Sequence, residues 1–266
     1  MFKTRLLSGI LLVIIALATI ISGGYVLFGT LLVISLIGMS ELYKILDVHK
    51  SPLGIAGYVM AIFYYYCMLK MTEEQSFIII LFILVLMFVY VFAYPKYRSE
   101  HVMLAFFGLF YVAYMLSFVF KTRMLPENGE FLVWLVFLCS WGSDTSAYCV
   151  GMLLGKHKLA PVLSPKKSIE GAAGGVVGAA LLSALYALAI NHFVPGVDLG
   201  AGQCAIIGAV GSVISQVGDL AASAIKRNHD VKDYGKLIPG HGGILDRFDS
   251  VIFTAPIIYY LAIVLM

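Results

Sequence analysis

The sequence predicts an all-α protein, a polytopic integral membrane bundle of about nine transmembrane helices with its N-terminus inside and its C-terminus outside. Three observations carry this expectation. Of the 266 residues, 61% are hydrophobic and 12% charged, with a mean hydropathy of +0.95, whereas soluble domains are roughly half apolar and a quarter charged. Apolar runs near the length of about 20 residues that a membrane helix needs recur along the whole chain, leaving little sequence for a soluble domain. The bases also fall on alternate loops. With the N-terminus inside, the inner segments carry Lys3, Arg5, Lys44, Lys50, Lys96, Arg98 and every base from Lys156 to Arg247, which leaves only Lys70, Lys121 and Arg123 outside.

The first five spans run from Leu6 to Ser22, Val26 to Met39, Leu53 to Leu69, Phe77 to Tyr94 and Val102 to Phe120. Met1 to Gly24 has the outline of a secretory signal. It reads instead as a retained helix, because the loop charges alternate best when it is counted and another apolar run starts at Tyr25. Glu41 and Lys44 read as interfacial charges, and the tyrosines suit interfacial belts or helix packing. Residues 1–130 therefore form a scaffold, continuous in one membrane domain with a catalytic part at residues 131–266.

In that second part the spans are Leu132 to Leu154, Ala172 to Phe193, Ala205 to Ala224 and Leu245 to Val264, rich in Gly, Ala and Ser. Gly171 with Gly175 and Gly174 with Gly178 have the GxxxG spacing that lets helices approach closely. Cys67, Cys139, Cys149 and Cys204 all lie in spans without zinc or disulfide spacing, as packing residues do.

Carboxylates are expensive in lipid and mark functional sites there. Asp144, Asp219, Asp246 and Asp249 sit inside or at the edges of the apolar runs. Ser212, Ser215, Gln216, Asp219 and Ser223 recur at helical spacing and make one polar stripe that ends in Lys226 and Arg227. A carboxylate below two bases suits a metal-bound polyphosphate, with an interhelical ion pair as the competing role. Asp246 and Asp249 share a helix face and can grip one hard cation such as Mg²⁺, with Asp219 completing the set. Gly242 and Gly243 at the start of that helix would let backbone N–H groups approach an anion. His241 can bond a phosphate, transfer a proton or pin the loop. Lys166 and Lys167 can neutralise a triphosphate or serve as an inside flank. For Asp144, a substrate or metal ligand and an interhelical hydrogen-bond partner both stay open.

The run Ser223-Ala224-Ile225-Lys226-Arg227, then Lys232-Asp233, Gly235, Pro239, His241-Gly242-Gly243 and Asp246-Arg247-Phe248-Asp249, resembles the signature of the phosphatidate cytidylyltransferases, the CDP-diacylglycerol synthases. Ser164-Pro165-Lys166-Lys167 with Glu170-Gly171 resembles the family's second motif, Ser168 standing where Thr is usual. The motifs cover the C-terminal half, and the span layout covers the whole chain. The resemblance implies Mg²⁺-dependent transfer of CMP from CTP to phosphatidate at the cytoplasmic face of a bacterial inner membrane. It gives Asp219, Asp246 and Asp249 to metal, with a second cation and a homodimer left open. Lys166, Lys167, Lys226 and Arg227 then meet the CTP phosphates, Arg247 or His241 the lipid headgroup, and Ser223 a metal or phosphate. No nucleic-acid partner is expected. An ion-coupled transporter fits less well, because the chain lacks evident paired halves and its polar residues gather on one side. A CTP-dependent polyprenol kinase would use similar phosphate and metal logic.

Overall fold

The computed structural model describes the backbone of residues 2–70 and 75–266 and the side chains of residues 8–70 and 77–266. The side chains of Lys3 and Arg5, which weigh on the expected orientation, lie outside the described residues. Nine helical units are described. They are α1 (Phe2–Ser22), α2 (Gly24–Ile45), α3 (Pro52–Lys70), α4 (Gln75–Phe92), α5 (Ser99–Arg123), α6 (129–154), α7 (Ile169–Phe193), α8 (Ala201–Asn228) and α9 (Leu245–Leu265).

Among the described residues, six helices are long and apolar enough to cross a membrane, namely α2, α3, α5, α7, α8 and α9. Ser8–Ser22 and Phe77–Phe92 are shorter apolar helices. Large side chains such as Ile21, Phe88, Phe92, Leu181, Leu185 and Val264 face outward, as lipid contact requires. The chain is a multi-pass membrane protein.

Two helices are interrupted by wider turns. α5 passes through a π segment at Leu109–Tyr114, and α6 through another at Leu138–Gly142, which ends two positions before Asp144. Such segments cost regular hydrogen bonding and occur often at functional sites.

The chain between α6 and α7 is not helical. It forms a short antiparallel hairpin, β1 (Lys158–Ala160) and β2 (Ser164–Ser168), with Lys158 opposite Ser168. Glu170 pins it, accepting the Lys156 N–H at 3.0 Å and facing His157 Nδ1 at 2.5 Å. Ser168 caps α7 by accepting the Gly171 N–H at 3.1 Å.

The GxxxG expectation holds. A Cβ on Gly174 would overlap Val150 and one on Gly178 would overlap Ser146, so α6 and α7 touch backbone to side chain. In the first half the tyrosines serve helix packing: Tyr64 bonds Ser117 at 2.7 Å and Tyr65 bonds Ser35 at 2.8 Å, all buried. The result is a tightly packed α6–α9 group with α2 and α5 against its inner face.

Candidate functional site

The polar stripe on α8 divides by function. Ser212 bonds Ser143 of α6 at 2.6 Å, and Gln216 donates to the Ala172 carbonyl of α7 at 3.0 Å. These residues join three helices and satisfy each other inside an apolar bundle. Two turns further, Asp219 forms an ion pair with Lys167 of β2, each side chain about one quarter exposed. Ser223, on the same stripe, is half-buried.

Asp246 is the hub of the next layer. Its Oδ1 accepts from Lys226 Nζ at 2.8 Å, and its Oδ2 accepts the Tyr234 and Gly243 N–H groups at 2.8 and 2.9 Å. Both charged partners are buried, the side chains being 11% and 2% exposed. A carboxylate offers about four lone-pair sites, so Asp246 has little capacity left. Lys226 also lies 5.1 Å over the Tyr234 ring, a cation–π contact. Burial holds the Tyr234 phenol above its ordinary pKa, and the protonated hydroxyl donates to the Ala222 carbonyl at 3.1 Å.

The start of α9 differs from expectation. Its free N–H groups do attract anions, but the protein supplies them. The Gly243 N–H goes to Asp246, and the Ile244 and Leu245 N–H groups go to Glu41 at 3.1 and 2.8 Å. The Gly243 amide is thus engaged within the protein. Glu41 is 5% exposed and is a buried cap from α2, not an interfacial charge. Gly235 and Gly243 pack so closely on its carboxylate that neither position has room for a Cβ. Gly242 has a φ of 85° and its missing Cβ would meet Asp246 Oδ2 at 2.8 Å, so glycine is needed there for backbone shape.

His241 stands on the other side of this loop. Its Nδ1 lies 2.8 Å from Ser8 Oγ of α1, and Ser8 donates to the Pro239 carbonyl at 3.1 Å. Beside it opens a polar cavity of about 510 Å³ whose charged wall is Lys232, Lys236 and Arg247, with His241 and one carboxylate, Asp233. Its bases suit phosphate oxygens.

Asp249 is 8% exposed, and its Oδ1 accepts the Ser250 N–H at 2.8 Å. Asp219 lies within electrostatic reach of both Asp144 and Asp249, and Arg247 of the same two. Asp144 thus belongs to this acidic group, on an exposed stretch of α6. Tyr111, from the π segment of α5, reaches the same region. Its buried hydroxyl faces Tyr234 without a well-formed hydrogen bond.

Among the described residues, no three His, Cys, Asp or Glu side chains stand close enough together to hold a metal ion by themselves. Mg²⁺ usually needs only one or two carboxylates, with substrate phosphates and water filling the rest. Asp219 and Asp249 fit that requirement in donor chemistry. Asp246 fits it only in part, since Lys226 and two amides already engage it.

The structure thus brings together Asp144, Lys167, Asp219, Lys226, Asp246, Arg247 and Asp249. Lys166 and Arg227 lie at the exposed rim, Arg227 donating to the Val231 carbonyl at 3.2 Å. Tyr111 and Tyr234 went unread in the sequence, and Glu41 was read only as an interfacial charge. The only signal for Tyr234 was its place inside the polar run, while Glu41 and Tyr111 are far in sequence from their partners in α9, Leu245 for the first and Asp249 and Phe253 for the second.

This arrangement coincides with a match of residues 3–265 to the model of the cytidylyltransferase family. The chain belongs to that family. It is 33% identical over 273 residues to the phosphatidate cytidylyltransferase of Bacillus subtilis strain 168, covering 97% of each chain. It is 36% identical over 265 residues to that of Staphylococcus epidermidis, covering 98% of this chain and 99% of the relative. The Staphylococcus aureus protein of the same name is 35% identical over 272 residues, with 98% and 99% covered.

Proposed function

We infer that this family member transfers a cytidylyl group from CTP to phosphatidate, forming CDP-diacylglycerol and pyrophosphate. The observation that carries the reading is the joining of a basic cavity to a buried acidic group at the ends of helices that are otherwise apolar. A membrane lipid with a phosphate headgroup and a polyanionic nucleotide can meet only where both environments are present.

A phosphate oxygen of phosphatidate attacks the α-phosphorus of CTP, the bond from that phosphorus to the bridging oxygen breaks, and pyrophosphate leaves. No protein nucleophile is required. Two anions must approach each other, so the chain's task is charge neutralisation and in-line positioning. Lys166, Lys167, Lys226 and Arg227 are assigned to the nucleotide phosphates. Arg247 and His241 are assigned to the lipid phosphate, His241 held in place by Ser8. Ser223 supports a phosphate or the cation through its hydroxyl. Asp219 and Asp249 would hold Mg²⁺, with Asp246 contributing what Lys226 leaves available, and Asp144 shaping the field around them. When bound, that cation supplies further neutralisation of the triphosphate.

The same reading gives nine membrane spans with the N-terminus inside, and a site facing the cytoplasm at a bacterial inner membrane. The excess of bases on the loops carrying the site supports that orientation.

CTP labelled separately at its α and γ phosphates, offered with phosphatidate micelles and Mg²⁺, tests the reaction. Lipid-bound α label with γ label released as pyrophosphate is expected. Transfer of γ label to lipid would mean a kinase, and uptake of solute into proteoliposomes without CTP would mean a transporter.

A further inference from the structure

An apolar cleft of about 460 Å³ lies between α1 and α2 and is lined also by Ile244, which precedes α9, and by Phe248 of α9. Other apolar grooves follow α4 on the lipid-facing surface and touch no polar group of the site. This one reaches the stretch of chain, residues 244–248, that also carries Arg247 of the site. Ile244 and Phe248, one helical turn apart on one face, flank Arg247, which walls the basic cavity. α1 links the two compartments along its length. Ser8 bonds His241 at 2.8 Å, and Leu12, Ile15, Ala16 and Thr19 then line the cleft at helical spacing. At 1.5 Å per residue, that face extends roughly 16 Å away from the headgroup position.

We propose that this cleft is a subsite for one acyl chain of the lipid substrate, aligned so that its phosphate enters the cavity at Arg247 and His241. The assignment rests on the cytidylyltransferase reading above. Its volume falls within the range of roughly 300–1,000 Å³ typical of ligand sites. Lipid tails are as apolar as the cleft walls, so moving a chain from bilayer to cleft gains almost no hydrophobic free energy. The cleft therefore acts through orientation. A chain laid along α1 fixes the rotation and depth of the glycerol phosphate, and with them the line of attack on the α-phosphorus.

Gly29 offers a clean test. It lines the cleft, and a Cβ there would meet no heavy atom within 4 Å. Gly29→Leu thus fills the cleft without overpacking the fold and removes a helix-weakening glycine. Gly202→Leu on α8, where a Cβ likewise meets nothing within 4 Å, is the matched control away from the cleft. Each variant is assayed with dioleoyl phosphatidate and with dihexanoyl phosphatidate, whose short chains barely enter the cleft. For Gly29→Leu, kcat/KM should fall at least about tenfold for the long-chain lipid, the scale expected of lost alignment, and stay within about twofold for the short one. Gly202→Leu should change neither. Equal losses with both lipids, or no loss with either, would overturn the subsite. Failure of the unmodified chain to form a CDP-lipid from either substrate would remove the reaction on which the subsite depends, and the subsite with it.

Discussion

Glu41 Oε2 accepts the Leu245 N–H at 2.8 Å, so α2 caps the helix that carries Asp246, Arg247 and Asp249. The first half of the chain is more than scaffold, because it sets the position of the acidic helix. In Glu41→Gln one carboxylate oxygen becomes an amide nitrogen that cannot accept, leaving an N–H of Ile244 or Leu245 unsatisfied. Thermal unfolding in detergent should show a loss of about 1–3 kcal/mol, together with reduced cytidylyl transfer. An unchanged melting temperature would show that the cap is dispensable.

Asp246 and Asp249 lie three residues apart but should respond differently to Asn. Asp246→Asn leaves Lys226 as a buried cation without its partner, a change that costs about 3–5 kcal/mol when a buried pair is broken. Both melting temperature and turnover should fall. Asp249→Asn removes a buried carboxylate whose recorded bond is to the adjacent Ser250 amide, so turnover should fall at least about a hundredfold with little loss of stability. Near-normal turnover in folded Asp249→Asn would remove that residue from the reaction.

The paired lysines of β2 also separate. Lys167 is tied to Asp219, whereas Lys166 is exposed. Lys167→Met should lower kcat/KM for CTP by about two orders of magnitude, because it disturbs both a phosphate contact and the acidic group. Lys166→Met should lower it by less than about tenfold, with a deficit that changes with salt, as expected of an exposed charge. Equal effects from the two would contradict the asymmetry seen in the hairpin.

The bundle was legible in the sequence because a membrane helix announces itself by length and apolarity alone, and GxxxG spacing located one close helix contact, that of α6 with α7. The acidic helix and its bases were legible for the complementary reason, that charge in lipid is costly. What could not be read was which charges satisfy one another. Asp246 and Asp249 look equivalent in sequence, yet one is spent on Lys226 and two amides. Gly243 suggested an anion at the helix start, and in the structure the amides of Gly243, Ile244 and Leu245 are met by Asp246 and Glu41. Glu41 sits beside Lys44 in a pattern that suggests an ordinary helix flank. Only long-range packing reveals its partner.

Tyr111 gives a prediction of opposite sign. A buried hydroxyl without a well-formed hydrogen bond is a net cost, so Tyr111→Phe should raise the melting temperature slightly, equivalent to about 1 kcal/mol. Turnover measured alongside asks whether substrate or cation completes that hydroxyl's bonding. A fall in stability would mean that the contact with Tyr234 is already a working hydrogen bond.

On the proposed reading, Lys226 and a divalent cation would compete for Asp246 Oδ1, since both are positive and the lysine already occupies that oxygen at 2.8 Å. The competition can be read directly with Mn²⁺, whose paramagnetic resonance signal reports the free ion. In the absence of CTP, Lys226→Met should bind Mn²⁺ more tightly than the unmodified chain, because it frees an oxygen and removes a nearby positive charge. Asp219→Asn and Asp249→Asn should bind it more weakly by about tenfold or more, the weight of a close charge contact. Turnover in Lys226→Met should nonetheless fall, because the same ammonium group is assigned to the nucleotide phosphates. Tighter metal binding with slower transfer is an outcome that simple unfolding cannot produce. If Lys226→Met left Mn²⁺ affinity unchanged while Asp246→Asn abolished it, the lysine would not be a competitor, and Asp246 would bind the ion through Oδ2 after releasing the Tyr234 or Gly243 amide.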